Sequence, residues 1–162
     1  MEKLVSYKTC KECIATKEQR EYGCCCRFKK YRAKSAPLVT DKEHILLLEN
    51  YDFVHANHFV MIALNGWQII PNLDKDWLWC PFLNRVEWKC RVYKFRPFDC
   101  KLFPGSFVRD NGNILFGLNK ECPGVNSQHV DVSAIKESAQ DFLKIFRNNF
   151  GQDSLVLAIE SI

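Results

Sequence analysis

Glycine and proline are scarce in this chain of 162 residues, with seven of one and six of the other. Thirteen residues make about 8%, against roughly 12% in ordinary proteins, which excludes collagen-like and low-complexity architectures. No apolar run approaches the roughly 18 residues that a membrane-spanning helix needs. The opening stretch, Met1-Glu2-Lys3-Leu4-Val5-Ser6, has no apolar leader segment, so a soluble, cytoplasmic chain is the expectation. An excess of one charge is missing too. Lys and Arg number 23 against 19 Asp and Glu, and a net charge of +4 does not point to nucleic acid or to an anionic membrane. There is no glycine-rich nucleotide loop, no nucleophile elbow and no His-Glu-x-x-His pair. Hydrophobic residues at 47% with charged residues at 26% exclude a disordered chain, and the length suits one domain.

What the chain does have is cysteine, nine in all. A chain of this size buries roughly 70% of its extended surface and folds without staples, so the thiols call for another reason. In a reducing compartment stable disulfides are not expected. The odd count leaves one over, and the contiguous run Cys24-Cys25-Cys26 suits disulfides poorly. Scattered core thiols do not explain the clustering. Metal or cluster binding explains it best. Cys10-Lys11-Glu12-Cys13 is a C-x2-C knuckle, whose tight turn lets two thiolates converge on one ion. Cys24 to Cys26 follow after a polar loop, Cys80, Cys90 and Cys100 come at intervals of ten, and Cys122 closes the set. Cys80-Pro81 and Cys122-Pro123 repeat a step that also ends the bacterial ferredoxin ligand run.

Local patterns suggest an α+β fold with short antiparallel strands and about three helices around a cysteine-ligated core. Residues 1–35 read as loops and short turns, with a basic stretch over 27–34. Thr40 and Glu43 have capping-box spacing before Ile45-Leu46-Leu47-Leu48, which starts a helix ending near Asn50. Residues 53–64 read as a second helix, with His55 and His58 on one face. Strands are expected over 66–71, 77–80 and 91–94. Residues 106–109 and 114–116 flank Asp110-Asn111-Gly112-Asn113 and read as a hairpin. Residues 131–150 form the clearest helix, with Ile135, Ala139, Phe142, Leu143 and Phe146 recurring at three and four.

Three segments also carry a resemblance. They are Gly23-Cys24-Cys25-Cys26-Arg27 preceded by the Cys10/Cys13 knuckle; Cys80-Pro81-Phe82-Leu83 with Cys90-Arg91-Val92-Tyr93; and Arg96-Pro97-Phe98-Asp99-Cys100-Lys101-Leu102-Phe103-Pro104. Together they resemble the YkgJ-type cysteine-cluster family, described as zinc- or iron-chelating proteins, over residues 7–125. The chain departs from that pattern in the longer gap between its first knuckle and Gly23, which bears on how Cys10 and Cys13 pair. The resemblance implies that Cys24 fills a variable position. Eight ligands then remain, Cys10, Cys13, Cys25, Cys26, Cys80, Cys90, Cys100 and Cys122, enough for two tetrahedral zinc sites or two cubane clusters. Eight thiolates and two dipositive centres would bring the formal charge from +4 to about zero.

Around the middle cysteines stand Trp77, Trp79, Phe82, Trp88, Tyr93, Phe95, Phe98 and Phe103, which would keep water from a centre. Arg91, Lys94, Arg96 and Lys101 lie next to ligands in sequence, and Arg96 before Pro97 suits a structural clamp. The aromatic surroundings and the Cys-Pro steps tilt the expectation from zinc towards iron–sulfur. The alternatives are an accessory or catalytic domain of a methyltransferase-like protein-modifying enzyme, or a zinc-ribbon-like interaction module. All-thiol ligation favours closed sites over catalysis.

Overall fold

The structure is a computed structural model and describes residues 23–24, 26–110, 113–118 and 132–150. Among these are three α-helices and eleven short strands in a mixed α+β fold, every strand pair antiparallel. No helix among the described residues is long and apolar enough to cross a membrane.

Helix α1 (Asp41–Asn50) begins where the local sequence says it should. The Thr40 hydroxyl accepts from the Glu43 N–H at 3.2 Å, and the Glu43 carboxylate accepts from the Thr40 N–H at 3.1 Å. Two orphan donors of the first turn are satisfied reciprocally. Glu43 also does something the local sequence does not announce. Its second oxygen accepts from the Phe98 N–H at 2.7 Å, at the start of the short helix α2 (Phe98–Leu102). Asp99 answers from α2, accepting from the Leu38 N–H at 3.0 Å in β3 (Leu38–Thr40). Two enclosed carboxyls thus tie β3 and α1 to α2. Burial pushes the Asp99 carboxyl up to about 6, with the charge of Glu43 adding to it.

The region expected as a helix over 53–64 is not one. It forms a 3-10 turn (Ala56–His58) and strand β4 (Phe59–Ala63), which pairs with β5 (Gly66–Ile69). Phe59, Val60 and Ile62 are aromatic or β-branched and suit a pleated surface, and pairing with β5 outweighs the helical spacing of the histidines. Strand β5 also pairs with β3, giving a sheet in the order β3–β5–β4. Val39, Leu47, Val54, Phe59, Ile69, Phe82 and Val92 make one buried cluster on it.

The second sheet runs β1–β2–β7–β6, from β1 (Gly23–Cys24), β2 (Arg27–Lys29), β6 (Asn72–Asp74) and β7 (Trp77–Trp79). Residues 23–35, expected as loops and turns, thus supply two strands and a 3-10 helix (Lys30–Ser35); residues 1–22 lie outside the described residues. Among the described residues, Phe28, Ala36 and Leu78 form its buried cluster. A small hairpin follows, β8 (Leu83–Asn84) with β9 (Lys89–Cys90). Residues 91–94, expected as a strand, instead follow β9 as a turn that runs into a 3-10 helix (Tyr93–Phe95), and Arg96 before Pro97 is extended.

The hairpin expected over 106–116 is present as β10 (Gly105–Asp110) and β11 (Asn113–Leu118). The last helix, α3 (Val132–Phe150), follows the predicted span and buries Phe142, Phe146 and Phe150, spaced by four. Phe98 of α2 lies against Phe142 and Phe150, with ring centroids 6.3 and 6.0 Å away. Phe150 covers Gly66 of β5, where a methyl group would enter its ring.

Candidate metal centre

Cys26 directly precedes β2 and Cys80 directly follows β7. The β2–β7 register pairs Arg27 with Trp79 and Phe28 with Leu78. One step further, Cys26 stands opposite Cys80, and the Cys80 N–H donates to the Cys26 carbonyl at 2.9 Å. Positions 26 and 80 are 54 residues apart, and the sheet brings them side by side.

Cys90 comes next. The Cys80 carbonyl accepts from the Leu83 N–H at 3.1 Å, closing a turn over Pro81 and Phe82. Leu83 is the register partner of Cys90, and the Arg91 N–H donates to the Phe82 carbonyl at 2.8 Å. Cys80 and Cys90 therefore pack on the same core cluster, which contains Phe82. The Cys90 sulfur accepts a hydrogen bond from the Val92 N–H, two residues on. Burial pushes its thiol up, opposed by that N–H and by the charge of Arg96. Arg96 is itself buried, its guanidinium 4.3 Å from the centre of the Tyr93 ring. No carboxylate among the described residues is ion-paired with it. A buried cation of this kind is matched by an anionic neighbour, and a thiolate bound to a metal supplies one. The charge of Arg96 would suit an anionic thiolate at Cys90.

Cys100 sits in α2, half-buried, behind the Glu43–Phe98 and Asp99–Leu38 ties. Cys10, Cys13, Cys25 and Cys122 lie outside the described residues. Among the described residues no group of three or more His, Cys, Asp or Glu is gathered closely enough to hold a metal ion. The structure brings Cys26 and Cys80 together and sets Cys90 across the next turn. Cys24 pairs in register with Arg27, one position away from the Cys26–Cys80 step.

The two histidines have another task. The His55 N–H donates to His58 Nδ1 at 3.1 Å, and the His55 side chain accepts in return from the backbone of His58. They cap a 3-10 turn, with the His58 ring edge-on to Phe82 at 5.4 Å.

The surrounding aromatic and basic residues divide into groups. Phe82 and Phe95 pack on the cluster with the two cysteines, whereas Phe98 faces α3. Trp79 meets Trp88 edge-on at 5.5 Å. On the outer face of the second sheet, Arg27 and Lys29 lie over Trp77 at 3.9 and 4.0 Å, and Arg85 lies over Trp79 at 4.2 Å. Arg91 is exposed and stacked on Phe53 at 3.6 Å, and the charge of Lys101 acts on Glu43. Of the cations nominated near the ligands, Arg96 is the one whose charge Cys90 feels. Sequence reasoning missed Tyr51, whose hydroxyl is bonded to the backbone of Phe95 and is close enough to Cys90 to respond to its charge. A tyrosine just past a helix end carries no motif that would have found it.

Searches against protein-family models, curated proteins and solved structures match nothing.

Proposed function

We propose that this chain is a cysteine-cluster protein that holds zinc or iron, with iron–sulfur the favoured form, in a reducing compartment such as the cytoplasm. The thiols assigned to the metal are Cys10, Cys13, Cys25, Cys26, Cys80, Cys90, Cys100 and Cys122. One observation carries the reading: Cys26 and Cys80 stand opposite each other on a hydrogen-bonded ladder, with Cys90 across the turn that follows. A metal site that draws ligands from distant stretches would use such a backbone juxtaposition. The Val92 N–H to the Cys90 sulfur and the charge of Arg96 oppose the burial that holds Cys90 as a thiol, and a bound metal would carry that balance over to thiolate. The metal would staple the sheet, and an iron–sulfur form would add one-electron chemistry.

The test is metal and acid-labile sulfide analysis of full-length protein kept from air and from chelators. Iron with equimolar sulfide, and a broad visible absorption that dithionite bleaches, identifies a cluster. Stoichiometric zinc in a colourless protein identifies the other form. A chain that holds neither metal and takes up none on titration overturns the reading.

A further inference from the structure

We infer that the outer face of the β1–β2–β7–β6 sheet is a docking surface for single-stranded nucleic acid. The net charge of +4 conceals a division. Residues 23–35 and 72–94, which build this sheet and the β8–β9 hairpin, hold ten Lys and Arg against three Asp and Glu, a surplus of seven positive charges. The other residues hold 13 Lys and Arg against 16 Asp and Glu. The expectation drawn from the charge of the whole chain therefore does not carry over to this sheet.

The face is ordered as well as basic. Arg27 and Lys29 are two apart on β2, Trp77 and Trp79 are two apart on β7, and the register sets Arg27 opposite Trp79 and Lys29 opposite Trp77. All four stand on the side away from the buried Phe28 and Leu78. Arg27 and Lys29 lie over the Trp77 ring, and Arg85 lies over Trp79. A guanidinium laid flat on an indole keeps its N–H edge for phosphate, and its outer plane can carry a base. Lys29 has no carboxylate partner among the described residues. Asp74 of β6, opposite Trp77, is ion-paired with Arg85 at 2.9 Å. Side chains two apart on a strand are separated by about 6.7 Å, about twice the 3.4 Å per nucleotide of a duplex strand. Two rings at that spacing suit bases drawn apart rather than a stacked double helix. An acidic peptide or an anionic membrane would use the charge and leave the tryptophan platforms without a role.

The test is fluorescence anisotropy with the full chain as purified and fluorescein-labelled uridylate or thymidylate strands of about 12 nucleotides. Either strand is expected to bind and to quench tryptophan emission. Three cations on the face set a log–log salt slope of about −2, a weakening of roughly 20-fold from about 50 mM to about 200 mM salt. Lys29→Gln/Arg85→Gln is expected to weaken binding roughly tenfold at about 50 mM salt and to bring the slope near −0.7. Asp74→Asn, which removes the carboxylate of the face, is expected to tighten it. Trp77→Leu is expected to weaken binding roughly fivefold or more through lost stacking, and the charge variants decide the case if it does not fold. Lys144→Gln/Arg147→Gln removes as much charge from α3 and should leave binding unchanged. Equal losses from the two double variants, or equal affinity for a duplex of the same length, overturn the inference. So does equal displacement of the strand by polyglutamate or by phosphatidylserine vesicles, and so does no binding at the lower salt. Metal content is measured on the same sample, and strand binding by a chain without metal would leave this inference standing while the metal reading falls.

Discussion

The two sheets of this molecule are held together by different means. The β3–β5–β4 sheet rests on a seven-residue buried cluster, and two carboxylates lock its helices by accepting backbone N–H groups. The β1–β2–β7–β6 sheet has three residues in its cluster. Its outer face is a stack of cations on tryptophans, and its end is a pair of cysteines. Cation–aromatic contacts contribute roughly 0.5–1 kcal/mol each when exposed and about 2 kcal/mol when desolvated. Among the described residues, the first half has the larger buried apolar cluster, and the second is the half to which the proposed metal would add most.

Removal of the proposed metal is the strongest challenge to this contrast. Structural metal binding is on the order of 10 kcal/mol, and that energy is folding energy. Under native-state hydrogen exchange, chelation is expected to deprotect β2 and β7 strongly while β5 stays protected. Uniform loss across both sheets would show that the halves are not independent. Cys90→Ser and Cys80→Ser are expected to do the same and to lower metal content by a whole site, as are Cys26→Ser and Cys100→Ser. Cys24→Ser should leave metal content unchanged, and equal losses from Cys24→Ser and Cys26→Ser would remove the basis for setting Cys24 aside.

Glu43→Ala challenges the other half. It deletes a cap contributing about 1 kcal/mol and leaves the Phe98 N–H without its acceptor, at a cost of about 1–3 kcal/mol. Urea denaturation is expected to show a loss of about 2–4 kcal/mol. Glu43→Gln, which keeps an acceptor oxygen, should recover part of it. Gly66→Ala sharpens the same point more gently. Its methyl group displaces the Phe150 ring, which is 4% exposed, and overpacking of this kind costs about 1–3 kcal/mol. Truncating Phe150 to Leu in the same chain should relieve the clash, read as a favourable coupling in a double-mutant cycle.

These halves were not equally legible in the amino-acid sequence. The capping box of Thr40 and Glu43 spans three residues and is visible before any fold is known. The long helix is visible because its buried phenylalanines repeat every four residues. The second bond of Glu43, to Phe98, reaches across 55 positions and has no local trace. Helix α2 has five residues, too few to show a period, and exists because a distant carboxylate caps it. Residues 59–63 were ambiguous, since a short apolar run suits a helix or a strand until a partner strand is known. Thiol chemistry was legible from cysteine spacing, but not which thiols meet. That depends on the β2–β7 register, where a slip of one residue would send the side chains to the opposite face.

The gentlest challenge is pH, read at His44. This side chain is buried in α1 between Trp67, stacked at 4.1 Å, and Phe59, edge-on at 4.6 Å, and its Nε2 has no hydrogen-bond partner among the described residues. Burial lowers its pKa below 6.5, and the Asp41 carboxylate opposes this only in part. The unfolded chain therefore takes up the proton more readily than the folded one. Stability from a neutral His44 is present in full above pH 6.5 and is lost as pH falls through the lower folded value. His44→Phe keeps the stacking surface and removes the titration. The variant's unfolding midpoint is expected to fall less than the parent's between pH 7 and pH 5, with both measured by chemical denaturation after metal removal. Identical pH profiles would mean that His44 finds a proton partner on opening to water, and that the carboxylate-locked half is less closed than its core suggests.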